Sequence, residues 1–238
     1  MFYFQEFSRK IEELEKSLDD YDRALEIDSK LVDAYIGRGN IYFKKGDNKS
    51  AVKDFELAIS INNNYDGAFF SRGSVYLEIG QYKEAIKDFS EAISLNPKYM
   101  DAYMQRGYSK SYLDDYKGVI EDSTEAIELD VNKQEYIPYN NRGLALFHLG
   151  KNEKALKDLS QCLRINPQFA TAHYNKGLVF SDIKRYSEAI DSFTIAIQYE
   201  PDNYDNWNRR GDAFLHVNKY KQAISDYDRR LARCCQYS

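Results

Sequence analysis

Proline and glycine are scarce, at 4 and 12 among 238 residues. So few breakers leave no room for long linkers, and at 43% hydrophobic residues the chain can fill a core. Cysteine occurs only as Cys162, Cys234 and Cys235. An odd count with an adjacent pair is no disulfide framework, which points to a reducing, cytoplasmic setting. Positive charge is in deficit, with 33 basic against 38 acidic residues and a net charge of −5. Polyanion binders carry a basic surplus or stripe, so neither nucleic acid nor an anionic membrane is an expected partner. No apolar run approaches the roughly 18–20 residues that span a bilayer. The opening MFYFQEFSRKIEELEK lacks the basic-then-apolar order of a secretory signal. The motifs G-x-x-x-x-G-K-[ST], H-E-x-x-H and C-x-x-C are missing too, so neither catalysis nor a cofactor or metal site is expected.

What is abundant is aromatic: 21 tyrosines and 13 phenylalanines. They recur in register. A basic residue precedes glycine at Arg38-Gly39, Arg72-Gly73, Arg106-Gly107, Arg142-Gly143, Lys176-Gly177 and Arg210-Gly211, with spacings of 34, 34, 36, 34 and 34. Four residues before each glycine stands Tyr35, Phe69, Tyr103, Tyr139, His173 or Trp207. Twelve after it comes Ala51, Ala85, Val119, Ala155, Ala189 or Ala223, and four further on Phe55, Phe89, Ser123, Leu159, Phe193 or Tyr227. Ring, glycine and the residue three beyond fall at i, i+4 and i+7, one face of a helix. A break such as Gly46-Asp47 follows, then a second helical run that stops at Asn-Pro, as at Asn96-Pro97 and Asn166-Pro167. Each unit reads as helix, turn, helix, turn, and its small residues let two helices approach closely.

Ring, glycine, aromatic, alanine and proline on this period resemble the tetratricopeptide repeat. The resemblance implies an all-α fold: a right-handed superhelical α-solenoid of stacked antiparallel helix pairs. The expected organisation is a capping helix or half repeat at 1–31, then repeats at 32–65, 66–99, 100–135, 136–169, 170–203 and 204–238, the last with the tail. The third repeat departs most, with Lys110, Val119 and Ser123 at packing columns and two residues inserted near 132–135. Phe4, Phe7, Ile11, Leu14, Leu18 and Tyr21 mark one amphipathic helix over about 4–27.

A second polar column carries Asp20, Asp54, Asp88, Asp122, Asp158, Ser192 and Asp226. Lys176 and Ser192 break the arginine and aspartate columns in the same unit, so the two columns are expected to pair between helices. His173 takes a packing ring's place, and Cys162 takes an alanine's, so both are expected inside. His148 and His216 stand two repeats apart, too far to share a metal.

By resemblance, first helices line a concave face. Its exposed residues are expected to include Phe70, Met104, Tyr108, Tyr112, Asn140, Leu144, Phe147, Tyr174, Leu178 and Asn208. They vary between units over a fixed scaffold, which suits recognition. The carboxylate clamp of some family members is not reproduced: Ile36 stands where its lysine should be, and Asp101 and Gln105 replace its final basic pair. The expected function is a protein-interaction scaffold that holds a peptide or partner protein in this groove. The alternatives are a self-assembling array joined through uncapped ends, giving homo-oligomers, and a non-catalytic module of a larger enzyme.

Overall fold

A computed structural model describes the backbone of residues 2–234 and the side chains of residues 13–229. The side chains of Cys234, Cys235, Phe4, Phe7 and Ile11 lie outside that range. The described residues are helical with no strand, and they divide into two compact units, 1–114 and 115–238.

Unit 1 runs α1 (Phe2–Ile27), α2 (Val32–Lys44), α3 (Asn48–Ile61), α4 (Asp66–Glu78), α5 (Tyr82–Leu95) and α6 (Met100–Ser111). Unit 2 runs α7 (Tyr116–Leu129), α8 (Ile137–His148), α9 (Asn152–Ile165), α10 (Ala170–Asp182), α11 (Tyr186–Tyr199), α12 (Tyr204–His216) and α13 (Tyr220–Cys234). Within each unit every helix packs on its neighbours in sequence, and first helices also touch first helices: α2 with α4, α4 with α6, α8 with α10, and α10 with α12. Short connections make successive helices antiparallel.

Local chemistry sets the turns. Gly46, Gly80 and Gly150 end first helices with positive φ, where a side chain would be strained. Asp114, Lys184 and Asn218 hold the same left-handed turn without that freedom. Asp47 and Asp115 cap α3 and α7 by accepting from Ser50 N and Gly118 N. At the other end, the side chains of Asn62, Asn96 and Asn166 accept from the backbone two residues on, which turns the chain into the next hairpin. The insertion lies in the connection 130–136, which stands where other units have 62–65 or 166–169. The Asp130 carboxylate closes it by accepting from Glu135 N at 2.7 Å.

The small-residue columns form the core. Ala51, Phe55 and Ala58 on α3 are fully buried, as are Ala189, Phe193 and Ala196 on α11. A Cβ placed on Gly39 would lie 2.8 Å from the Phe55 ring, and one on Gly177 would lie 2.5 Å from Phe193. In the opening half repeat the contact shifts: Tyr21 packs over Gly37, and Leu25 is buried beside it.

The arginine–aspartate columns do pair. Arg38, Arg72, Arg142 and Arg210 each form a two-pronged bond to an aspartate of their own second helix: Asp54, Asp88, Asp158 and Asp226, at 2.7–3.0 Å. The third nitrogen reaches back to the preceding second helix: Arg38 to Asp22, Arg106 to Ser90, Arg142 to Thr124 and Arg210 to Thr194. One guanidinium thereby ties three helices, a geometry that a lysine lacks. In the exceptional unit Lys176 lies over the Phe180 ring, and Ser192 donates to its own helix at Glu188 O.

Candidate functional site

Each first helix presents the residue just after its glycine, and those four and five after it, along one face. In unit 2 these are Leu144, Phe147 and His148 on α8, then Leu178, Ser181 and Asp182 on α10, then Asp212, Leu215 and His216 on α12. The three helices run the same way, so their C-terminal turns meet at one rim. Between them lies a cavity of about 620 Å³, lined by Phe147, Leu178, Ala213 and Leu215 among its apolar residues. Its polar rim includes His148, Ser181, Asp182, Tyr186, Arg209, Asp212 and His216.

Second helices brace this rim. Tyr116 stacks on His148 at 4.4 Å, and Tyr186 on His216 at 4.3 Å, with the ring planes within 8° of parallel. Tyr82 stacks on Tyr112 the same way in unit 1, at 4.3 Å. Where asparagine replaces that tyrosine, an acid replaces the ring opposite, and Asn152 donates to Asp182 at 2.7 Å. In unit 1 the equivalent Asn48 lines an open hollow of about 720 Å³ with Lys49, Lys53, Tyr76 and Ile79. That hollow is larger than the unit 2 cavity, but it lies between α3 and α4 rather than on the row of first helices.

Arg209 is held within the rim. Its hydrogen bond with Tyr174 raises its pKa, and the Asp212 and Asp205 carboxylates nearby add to that. Asp212 accepts from the Tyr227 hydroxyl at 2.8 Å, and burial together with that carboxylate pushes the phenol up to about 12.

The expected face residues divide. In unit 1, Tyr108 and Tyr112 are exposed, at 45% and 49%, with their hydroxyls 2.7 Å apart. That bond and partial burial push Tyr108 up to about 12. Phe70 is half-buried between Tyr99 and Phe89, a filler between helices, and Met104 is half-buried. In unit 2, Phe147 and Leu178 line the cavity. Leu144, Tyr174 and Asn208 are half-buried, with Tyr174 against the Phe193 ring. Asn140 differs from its expected exposure. It is 6% exposed, and its carbonyl accepts from Asn175 at 2.9 Å, because two neighbouring first helices meet there.

Sequence reading missed His148, Ser181, Asp182, Arg209, Asp212, Leu215 and His216 as the lining of one cavity. The signal was present: Tyr112 and Phe147 stand in the same columns, five and four residues past the glycine. His173 does take a ring's place, half-buried with its Nε2 2.9 Å from Pro167 O, as Trp207 donates to Pro201 O. Burial lowers its pKa. Cys162 is buried, and burial pushes its thiol up to about 12, far from a reactive thiolate. Among the described residues no helix is long and apolar enough to cross a membrane.

Helical hairpins repeated in register, joined by tight turns and stacked first helix to first helix within each unit, define a helical-repeat protein. Models of the TPR repeat match residues 9–46, 39–80, 73–110 and 143–184, and one described as tetratricopeptide repeat matches 180–238. The chain belongs to the tetratricopeptide repeat family. No curated protein matches its sequence. Among solved structures it is similar to YrrB, a TPR protein with an unusual peptide-binding site, at 22% identity over 84% of this chain and 97% of that one, with a TM-score of 0.68. PilF of Pseudomonas aeruginosa is similar at 17% identity over 87% and 93% of the two chains, with a TM-score of 0.73. A tetratricopeptide repeat protein from Parabacteroides merdae is similar at 18% identity over 84% and 79%, also with a TM-score of 0.73. Such likenesses carry the fold alone.

Proposed function

We propose that the chain is a non-catalytic scaffold that holds a peptide segment of a partner protein against its first helices, with the unit 2 cavity as the main seat. The observation that carries this reading is the cavity itself: an apolar floor inside a polar rim, built from three successive first helices. The family's general use in protein interaction supports it, as does the peptide-binding site described for YrrB. The reading keeps the repeat boundaries given above and a cytoplasmic setting. Leu215 is exposed, so Leu215→Lys should leave helix content unchanged by circular dichroism while abolishing peptide capture. Capture that survives this charge on the floor would refute the seat.

A second reading, end-to-end self-association, is favoured by α13. Tyr220 and Ile224 are 58% and 59% exposed, whereas Tyr186 and Ile190, one repeat earlier, are half-buried. Light scattering over a concentration series should show growth that Ile224→Lys suppresses. A molar mass that stays constant with concentration would exclude it.

A further inference from the structure

The charge around the unit 2 cavity indicates what kind of segment sits there, and this step rests on the binding-face reading above. Asp182 and Asp212 both stand exposed on the rim. Asp182 accepts from Asn152 through Oδ2 alone, which leaves Oδ1 open. Asp212 accepts from Tyr227 through Oδ1, and its Oδ2 has only a 4.0 Å approach from Arg209. Arg209 is the one lining side chain that is always cationic, and its guanidinium lies 4.0 Å from the Asp212 carboxylate. The backbone adds to this bias. The helices α8, α10 and α12 end at His148, Asp182 and His216, so the negative ends of three helix dipoles border the same rim. The floor beneath is apolar, through Phe147, Leu178, Ala213 and Leu215.

We propose that the cavity selects a basic peptide segment: an apolar side chain enters over Leu178 and Leu215, and a neighbouring lysine or arginine meets Asp182 and Asp212. An acidic segment would face two carboxylates and three helix C-termini against a single permanent cation, which itself stands beside Asp212. A neutral apolar segment would fill the floor and leave the open carboxylate oxygens without a partner.

The test is a random-peptide phage selection on the full chain, followed by synthetic copies of the selected peptides titrated by fluorescence anisotropy. Selected sequences should set Leu, Ile, Phe or Met beside Lys or Arg. The Asp182→Asn/Asp212→Asn double variant should weaken binding of such a peptide by about tenfold, as should its Lys→Gln copy, and added salt should weaken the wild-type complex. Selection of acidic peptides overturns the charge assignment. So does binding that Leu215→Lys abolishes but the double variant leaves unchanged, and in that case the binding face itself stands. Peptides that bind Leu215→Lys as well as wild type, or no selected peptide at all, remove the binding face and this inference with it.

Discussion

At the scale of single residues, stability depends on the absence of side-chain atoms at a few positions. Gly177 faces Phe193, which is fully buried against Ala189 and Ala213. A Cβ at Gly177 would stand 2.5 Å from that ring, and the ring has no free space to retreat into. Gly177→Ala should therefore destabilise the chain by about 1–3 kcal/mol through overpacking, despite alanine's better helix propensity. Urea unfolding measures this, and an unchanged or raised midpoint would contradict the contact. These glycine and alanine columns were legible in the sequence, because a close helix contact needs a small residue at every repeat. Asn140 was not legible. Its position in the repeat is the same as that of Phe70 or Met104, yet its amide is short enough to turn inward and bond Asn175. Whether a side chain faces outward or bridges two helices depends on its neighbour one helix away.

At the scale of helix pairs, the guanidinium–carboxylate clamp ties a hairpin's two helices together and to the second helix before it. Arg142 joins Asp158 on α9 and Thr124 on α7, and the Asp158 side chain is only 10% exposed. Arg142→Leu strands that carboxylate and should cost about 2–3 kcal/mol. Adding Asp158→Leu should recover part of the loss, since it removes the orphaned charge. A single variant within about 0.5 kcal/mol of wild type would mean the clamp contributes no more than an ordinary surface pair. The repeat containing Lys176 and Ser192 shows that a hairpin stacks without the clamp. The paired exception allowed the pairing to be inferred from sequence. The third, backward contact was not inferable, because its partners Asp22, Ser90, Thr124 and Thr194 vary in chemistry and share only a place.

At the scale of the molecule, the contacts among the described residues of each unit run between helices near in sequence. Helix α12 touches α10, α11 and α13. Damage should stay local in such an array. Ala213→Asp, which puts a charge into the buried cluster of Phe180 and Phe193, should raise hydrogen exchange across α10–α13 and leave α2–α5 protected. A uniform loss of protection would mean the chain unfolds as one cooperative body. By itself the sequence determined the repeat, the helix pairs, their turns and the packing columns, since helix period and small-residue spacing are local properties that recur with every unit. Only the tertiary structure decided which varied residues share a site. His148, Asp182, Arg209 and His216 lie on three different helices, and stacking those helices in parallel is what turns separate columns into one rim around an apolar floor.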